Sequence, residues 1–251
     1  MPAETSPQPA RAQLAELAAR VRDGGVGLGA LPRLPVAGDA RAAAVLILFG
    51  PLDRIPAERE AAASAVSRDL DVLLLARAAT LRSHAGEIAF PGGRAEPDDP
   101  DAVATALREA REETGLDPAG VDVLGTLEDV PLAHSRHLVT PVLGWWRQPS
   151  PVRVIDVGES ADVFRAPVAE LLDPANRGVT VLRRDAVRWR APGFLVPHAD
   201  GEYLVWGFTA MVLDALFDAL GWAEPWDAAR ELPFAEPAGT AEPTRGPAFG
   251  G

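Results

Sequence analysis

Between Phe90 and Leu116 the chain carries a turn and a helix that leave little freedom to whatever surrounds them. Phe90-Pro91-Gly92-Gly93 is followed, 15 residues after Gly93, by Arg108-Glu109-Ala-Arg-Glu112-Glu113-Thr-Gly115-Leu116. Paired glycines lack Cβ atoms, so the backbone of such a turn lets another group approach closely. A helix pattern over 101–114 puts Glu109, Glu112 and Glu113 at i, i+3 and i+4 on one face. Val103, Ala106, Leu107, Ala110 and Thr114 fall on the opposite face, suited to packing on a sheet. Three carboxylates within one turn repel each other, so something positive must compensate. Arg108 is placed to pair with one of them. A hard divalent cation such as Mg²⁺, which takes carboxylate, water and phosphate oxygens, is the other source of charge. A solvated acidic face laced with arginine pairs is the plain alternative. Chance weighs against it: at average residue usage Arg-Glu-x-x-Glu-Glu-x-Gly arises about once per million start positions, before the glycine turn is required.

Around this stretch the hydrophobic pattern predicts an ordered body with appendages. Leu14, Leu17, Ala18 and Val21 recur at helical spacing over 8–22, so an amphipathic helix there packs on the body or on a partner. Gly24 to Pro35 reads as a loop. Its Gly25-Val-Gly27-Leu-Gly29-Ala30 fits a dinucleotide fingerprint only formally, because a helix pattern precedes it and prolines follow. Ala43 to Phe49 and Asp71 to Arg77 read as strands covered on both faces. Further strand candidates are Val121 to Leu127, Leu138 to Trp146, Val179 to Leu182, Val187 to Trp189 and Glu202 to Trp206. A short helix spans Val168 to Leu172, and a last one runs from Gly207 to Leu220 with Gly221 as C-cap. From Leu232 onward the composition predicts a disordered tail. Three segments result: 1–40, helix and linker; 41–231, the main domain; 232–251, the tail.

Composition narrows the function classes. All 24 basic residues are arginine against 36 acidic ones, a formal charge of −12. That balance repels nucleic-acid backbones and anionic membranes, so neither is an expected partner. The absence of cysteine removes thiol nucleophiles and zinc knuckles. The longest apolar run, Ala42 to Phe49, is too short to span a bilayer, and Met1-Pro-Ala-Glu-Thr-Ser lacks the basic start of a signal peptide. The cytoplasm is the expected compartment.

The turn and helix resemble the Nudix box, Gly-x5-Glu-x7-Arg-Glu-U-x-Glu-Glu-x-Gly-U with U aliphatic. From Gly93 to Arg108 the chain is one residue longer than that pattern, and the first glutamate has no in-register counterpart; Glu96, Asp98 and Asp99 are the substitutes at hand. The longer spacing also occurs in the coenzyme A pyrophosphatase branch. Its upstream signature is similar to Leu73-Leu74-Leu75-Ala-Arg77-Ala78-Ala-Thr-Leu81-Arg82-Ser-His84-Ala-Gly86-Glu-Ile88-Ala-Phe90-Pro91-Gly92-Gly93, with Leu75 for threonine and Ala78 for serine. Tyr203-Leu-Val205-Trp206-Gly207-Phe-Thr209-Ala210 is similar to the segment opening that branch's last helix.

The resemblance implies an α/β (α+β) architecture, the Nudix fold, in which a mixed β-sheet is sandwiched between helices and 41–231 is the hydrolase domain. It implies Mg²⁺ or Mn²⁺ held by Glu109 and Glu113, with Glu112 a third ligand or a participant in water activation, and Arg108 orienting the glutamates. Arg82, His84 and Gly86 would face a small nucleotide substrate, beside the Gly92-Gly93 turn. The implied reaction is attack of water on a diphosphate; from coenzyme A or its thioesters the products would be 3′,5′-ADP and (acyl-)4′-phosphopantetheine. ADP-ribose, NADH or nucleoside triphosphates are the alternative substrates, and a silent nucleotide sensor is the alternative class. Glu159 aligns with a loop glutamate common in the family and is a second candidate base. Outside the signature, His134 and His137 read as solvated loop residues without a third metal ligand. Arg183, Arg184, Arg188 and Arg190 form a basic cluster suited to a 3′-phosphate or to an exposed sheet edge. Trp145, Trp146, Trp189 and Trp206 read as core.

Overall fold

The apolar strands alternate their side chains between two cores, which is why both of their faces are covered. In β1 (Arg41–Gly50), Leu46 and Leu48 pack with Ala106, Ala110 and Trp146, whereas Ile47 and Phe49 pack with Leu14, Phe194 and Phe217 on the other side. The computed structural model describes residues 8–25, 27–29, 31, 40–51, 55–79, 86–132, 136–184, 187–198 and 201–234.

Nearest the centre, β1 runs parallel to β7 (His137–Trp146). On its other edge β1 meets β2 (Asp71–Arg77) only at Phe49–Gly50, then diverges from it. Two short strands fill the wedge: β3 (Ile88–Ala89) pairs with β2, and β4 (Gly92–Arg94) pairs with β1. β8 (Ser160–Pro167) lies along the outer side of β2, while β5 (Val121–Thr126) and β6 (Val130–Leu132) pair with β7. All pairings except β1–β7 are antiparallel, so the eight-stranded sheet is mixed. A second, antiparallel sheet comprises β9 (Arg177–Arg184), β10 (Val187–His198) and β11 (Gly201–Val205).

Helix α2 (Ala102–Thr114) covers one face of the large sheet. Helices α1 (Gln8–Arg22), α3 (Val168–Leu172) and α4 (Gly207–Leu220) cover the other, together with the small sheet. This is the layered arrangement the box implies. The α1 helix belongs to that core: Ala10, Leu14, Leu17 and Ala18 are buried, Gln13 accepts from the Trp222 indole at 2.6 Å, and Arg11 pairs with Asp122 at 3.1 Å. The linker that follows is tied down by Glu128, whose carboxylate accepts from Gly27 and Leu28 N–H groups. No helix among the described residues is long and apolar enough to cross a membrane.

Some expectations need correction. β10 runs to His198, well past Trp189, and β8 was absent from the pattern; prolines and charged residues break the apolar runs, and pairing with neighbours supplies the order. Trp189 is exposed rather than core. Order also extends past the expected start of the tail: Leu232 is buried, its N–H donates to Val179 O at 2.9 Å, and its side chain fills the space left by Gly178 and Gly193. Arg188 pairs with Glu231 and Arg190 donates to Ala228 O, so both hold this segment rather than stand open to a phosphate. The side chains of Arg183 and Arg184 lie outside the described set, as do residues 235–251.

Candidate active site

Asp101 caps the N-terminus of α2 through a 2.8 Å bond from Ala104 N–H, and Gly115 ends it in the left-handed conformation at φ 71°. The helix therefore presents the same turn that the spacing implied, with Glu109 and Glu113 facing β4. Glu113 is nearly buried and accepts the Gly92 N–H at 2.9 Å. Glu109 lies over Gly93: a Cβ there would fall 2.5 Å from its carboxylate carbon. The first glycine is needed for another reason, since a Cβ at Gly92 would meet Ala44 O at 2.4 Å and Val45 Cα at 2.6 Å. One glycine thus lets β4 lie against β1, and the next makes room for a carboxylate.

Burial pushes the Glu113 carboxyl up to about 7, against the pull of the Gly92 N–H and of Arg77, and with help from the charges of Glu109 and Glu159. Burial also raises Glu109, offset by Arg108. Two carboxyls set against adjacent glycines and raised by burial match the donor set of Mg²⁺, which takes one or two carboxylates and completes its shell with water and phosphate oxygens. Among the described residues no three acidic or histidine side chains converge on one point. The structure separates Glu112 from the pair: its side chain is 59% exposed and accepts from Arg108 Nη1 at 3.1 Å.

Arg108 is held by a carboxylate that spacing alone left open. Its Nε and Nη2 donate to the two oxygens of Asp99 at 3.1 and 2.9 Å, its Nη2 also to Arg94 O, and its Nη1 stands 3.2 Å from Glu109. Asp99 also accepts from Thr105 Oγ1 and Glu96 N–H. The Arg108 guanidinium, first among these donors, holds the Asp99 carboxyl well below its usual value. Glu96 reaches Arg108 only at 4.0 Å, and Asp98 is exposed. Nothing local distinguishes the three acids; the fold selects Asp99.

Glu159 is exposed, on the loop entering β8, and comes close enough for its charge to act on Glu113. That loop is fastened to the end of α2 by Arg153 N–H on Thr114 O and Ile155 N–H on Glu113 O, and to β2 by Ala78 N–H on Glu159 O. Gly86 turns at φ 71° and donates to Arg77 O. Arg82, His84 and His134 lie outside the described residues. His137 accepts from Arg94 Nε at 3.2 Å.

The NUDIX domain family matches residues 58–187. The chain is 40% identical over 153 residues to Nudix hydrolase 15, mitochondrial, of Arabidopsis thaliana, covering 58% of this chain and 51% of that protein. It is 38% identical over 146 residues to the uncharacterized Nudix hydrolase NudL of Photorhabdus laumondii, covering 58% and 74% respectively. The chain spans about half the length of the curated Arabidopsis relatives it matches. Among solved structures, a MutT/nudix family protein from Enterococcus faecalis covers 76% of this chain and 65% of its own, at 16% identity and a TM-score of 0.42. More than half of the chain falls within one domain family, and the glycine turn, the arginine and the paired glutamates all lie inside that stretch: the protein belongs to the Nudix family.

Proposed function

We propose that the protein is a Mg²⁺- or Mn²⁺-dependent pyrophosphatase that hydrolyses the diphosphate of coenzyme A or its thioesters to 3′,5′-ADP and (acyl-)4′-phosphopantetheine. The observation that carries the hydrolytic part is the Glu109–Glu113 pair, set against two glycines with both carboxyls raised by burial. The substrate part rests on the signature from Leu73 to Gly93.

Nudix hydrolases generally use divalent metal ions. When bound, such an ion draws charge from phosphate oxygens and makes a neighbouring water a better nucleophile. In this chain Glu109 and Glu113 would hold it. Arg108, anchored on Asp99, keeps Glu109 in place and limits repulsion along the helix. Glu112 or Glu159 would take the proton from the attacking water, and both are exposed enough to pass it to solvent. Arg82, His84 and Gly86 are assigned to the substrate by the signature alone. Retention of all three glutamates favours an enzyme over a silent nucleotide sensor.

The test is to incubate the protein and Mg²⁺ with coenzyme A, ADP-ribose, NADH and nucleoside triphosphates, and to identify products by mass spectrometry. Coenzyme A should yield 3′,5′-ADP. Rapid cleavage of ADP-ribose with coenzyme A left intact would overturn the substrate assignment, and a fully active Glu113→Gln variant would overturn the metal assignment.

A further inference from the structure

The loop that carries Glu159 leads into β8 through a slip in strand pairing. Ala76 stands opposite Asp162 but Arg77 opposite Ser160, so Ala161 is an extra residue, a β-bulge. A bulge breaks the alternation of faces and disrupts the ladder locally, so backbone pairing fixes the residues beside it less firmly. Asp162, next to the bulge, is held by three groups. Its Oδ1 accepts the Val163 N–H at 2.8 Å. Its Oδ2 accepts from the Tyr203 hydroxyl at 3.1 Å and lies 3.1 Å from His198 Nε2. His198 ends β10 and Tyr203 belongs to β11, so two of the three come from the small sheet.

The rings around the carboxylate are themselves fixed. Phe164, two residues along β8, lies 4.7 Å from Tyr203 between centroids, and His198 lies 4.4 Å from the same ring. A hydroxyl on a ring already held by its neighbours loses little freedom when it bonds. On the other side of the bulge, Ala78 N–H donates to Glu159 O at 2.9 Å, and the Glu159 and Ser160 N–H groups donate to Asp156 O. The start of the loop is fastened to α2, and the charge of Glu159 acts on Glu113. The loop is thus tied to the box helix at one end and, through Asp162, to the small sheet at the other.

We infer that Asp162 is a positioning residue: gripped by Tyr203 and His198, it holds the bulge at Ala161 and thereby keeps Glu159 at the candidate active site. The inference rests on the reading of Glu159 as a proton acceptor and names what holds it in place.

The experiment uses the full chain with Asp162→Ala, Tyr203→Phe, Glu159→Gln and the Asp162→Ala, Glu159→Gln double variant. Backbone amide exchange is followed by NMR, alongside Mn²⁺ affinity and thermal unfolding. In Asp162→Ala the Ala78 and Ser160 amides should exchange roughly 5- to 30-fold faster, the span of one or two hydrogen bonds, while the Gly92 amide on Glu113 and the Mn²⁺ affinity change by less than about threefold. For whichever diphosphate the wild type cleaves, Asp162→Ala should lower kcat by roughly 10- to 100-fold with KM within about threefold. In the Glu159→Gln background the same change should cost less than about threefold, because its effect runs through Glu159. Tyr203→Phe removes the hydroxyl and keeps the ring; if Asp162→Ala does not fold, this variant carries both measurements, with at least about a threefold effect in each. Unaltered exchange at Ala78 and Ser160 in the folded variants would overturn the inference. So would a fully active Glu159→Gln protein, or an equal loss of kcat with and without Glu159, which would make Asp162 a support for the fold alone. Exchange needs no substrate and decides the anchoring even where coenzyme A is left intact, so this inference and the substrate assignment can fail separately.

Discussion

Gly92 and Gly93 are neighbours with different duties, and alanine at each should fail in a different way. At Gly93 the new Cβ would stand 2.5 Å from Cδ and Oε1 of Glu109 and 2.7 Å from Oε2. Comfortable contact needs about 3.5 Å, so the carboxylate must retreat by about 1 Å. It sits at the end of a flexible side chain and can do so cheaply; the fold should lose less than about 1 kcal/mol, or roughly 2–4 °C in Tm. The site should lose far more, because a displacement of about 1 Å in a catalytic group costs on the order of 100-fold in rate, about 2.7 kcal/mol. At Gly92 the Cβ would meet backbone atoms, Ala44 O at 2.4 Å and Val45 Cα at 2.6 Å, and strand β1 cannot move aside without disturbing its pairing with β7. Overpacking of this kind costs about 2–3 kcal/mol, a fall of roughly 5–10 °C. Thermal unfolding, Mn²⁺ titration and diphosphate turnover on both variants separate the cases. A Gly93→Ala protein with wild-type Mn²⁺ affinity and turnover, or one as destabilised as Gly92→Ala, would refute the placement of Glu109.

Other consequences can be measured directly. Arg177 is fully buried between the rings of Phe194 and Trp226 and is paired with Asp214 on α4; Asp214→Asn should cost about 3–5 kcal/mol in urea unfolding, and Arg177→Met with Asp214→Leu should recover most of it. Asp99 is held below its ordinary value in the folded protein, so the unfolded chain binds its proton more readily. The Asp99–Arg108 pair therefore stabilises above about pH 4 and fades as pH falls further; Asp99→Asn should remove that part of the acid-side slope and lower turnover, as read by pH-dependent unfolding and product assay. Leu232→Ala should cost about 2–3 kcal/mol, seen as a drop in Tm of roughly 5–10 °C, because the side chain closes the space over Gly178 and Gly193.

Elements whose causes are local were legible in the residues. Helix α2 starts at an aspartate cap and stops at a left-handed glycine, α4 ends at Gly221, and β2 occupies the apolar run from Asp71 to Arg77. Periodicity and capping act within a few residues of chain, so one sequence carries them. β8 and the length of β10 were not legible. Asp162 and Arg165 interrupt the first, and Pro192, Gly193 and Pro197 the second; both are ordered by partners distant in the chain.

The same division runs through the candidate site. The order of glycine turn, arginine and glutamates is written in the residues, because helix geometry brings Glu109 and Glu113 to adjacent positions whatever surrounds them. Which acid holds Arg108, why Glu112 turns outward while Glu113 is buried, and why Arg77 keeps a buried donor unbonded depend on the wedge between β1 and β2 and on the loop from Arg153 to Glu159. Burial and pairing at those positions arise from segments that meet only when the sheet closes, and no local pattern encodes a contact made across it.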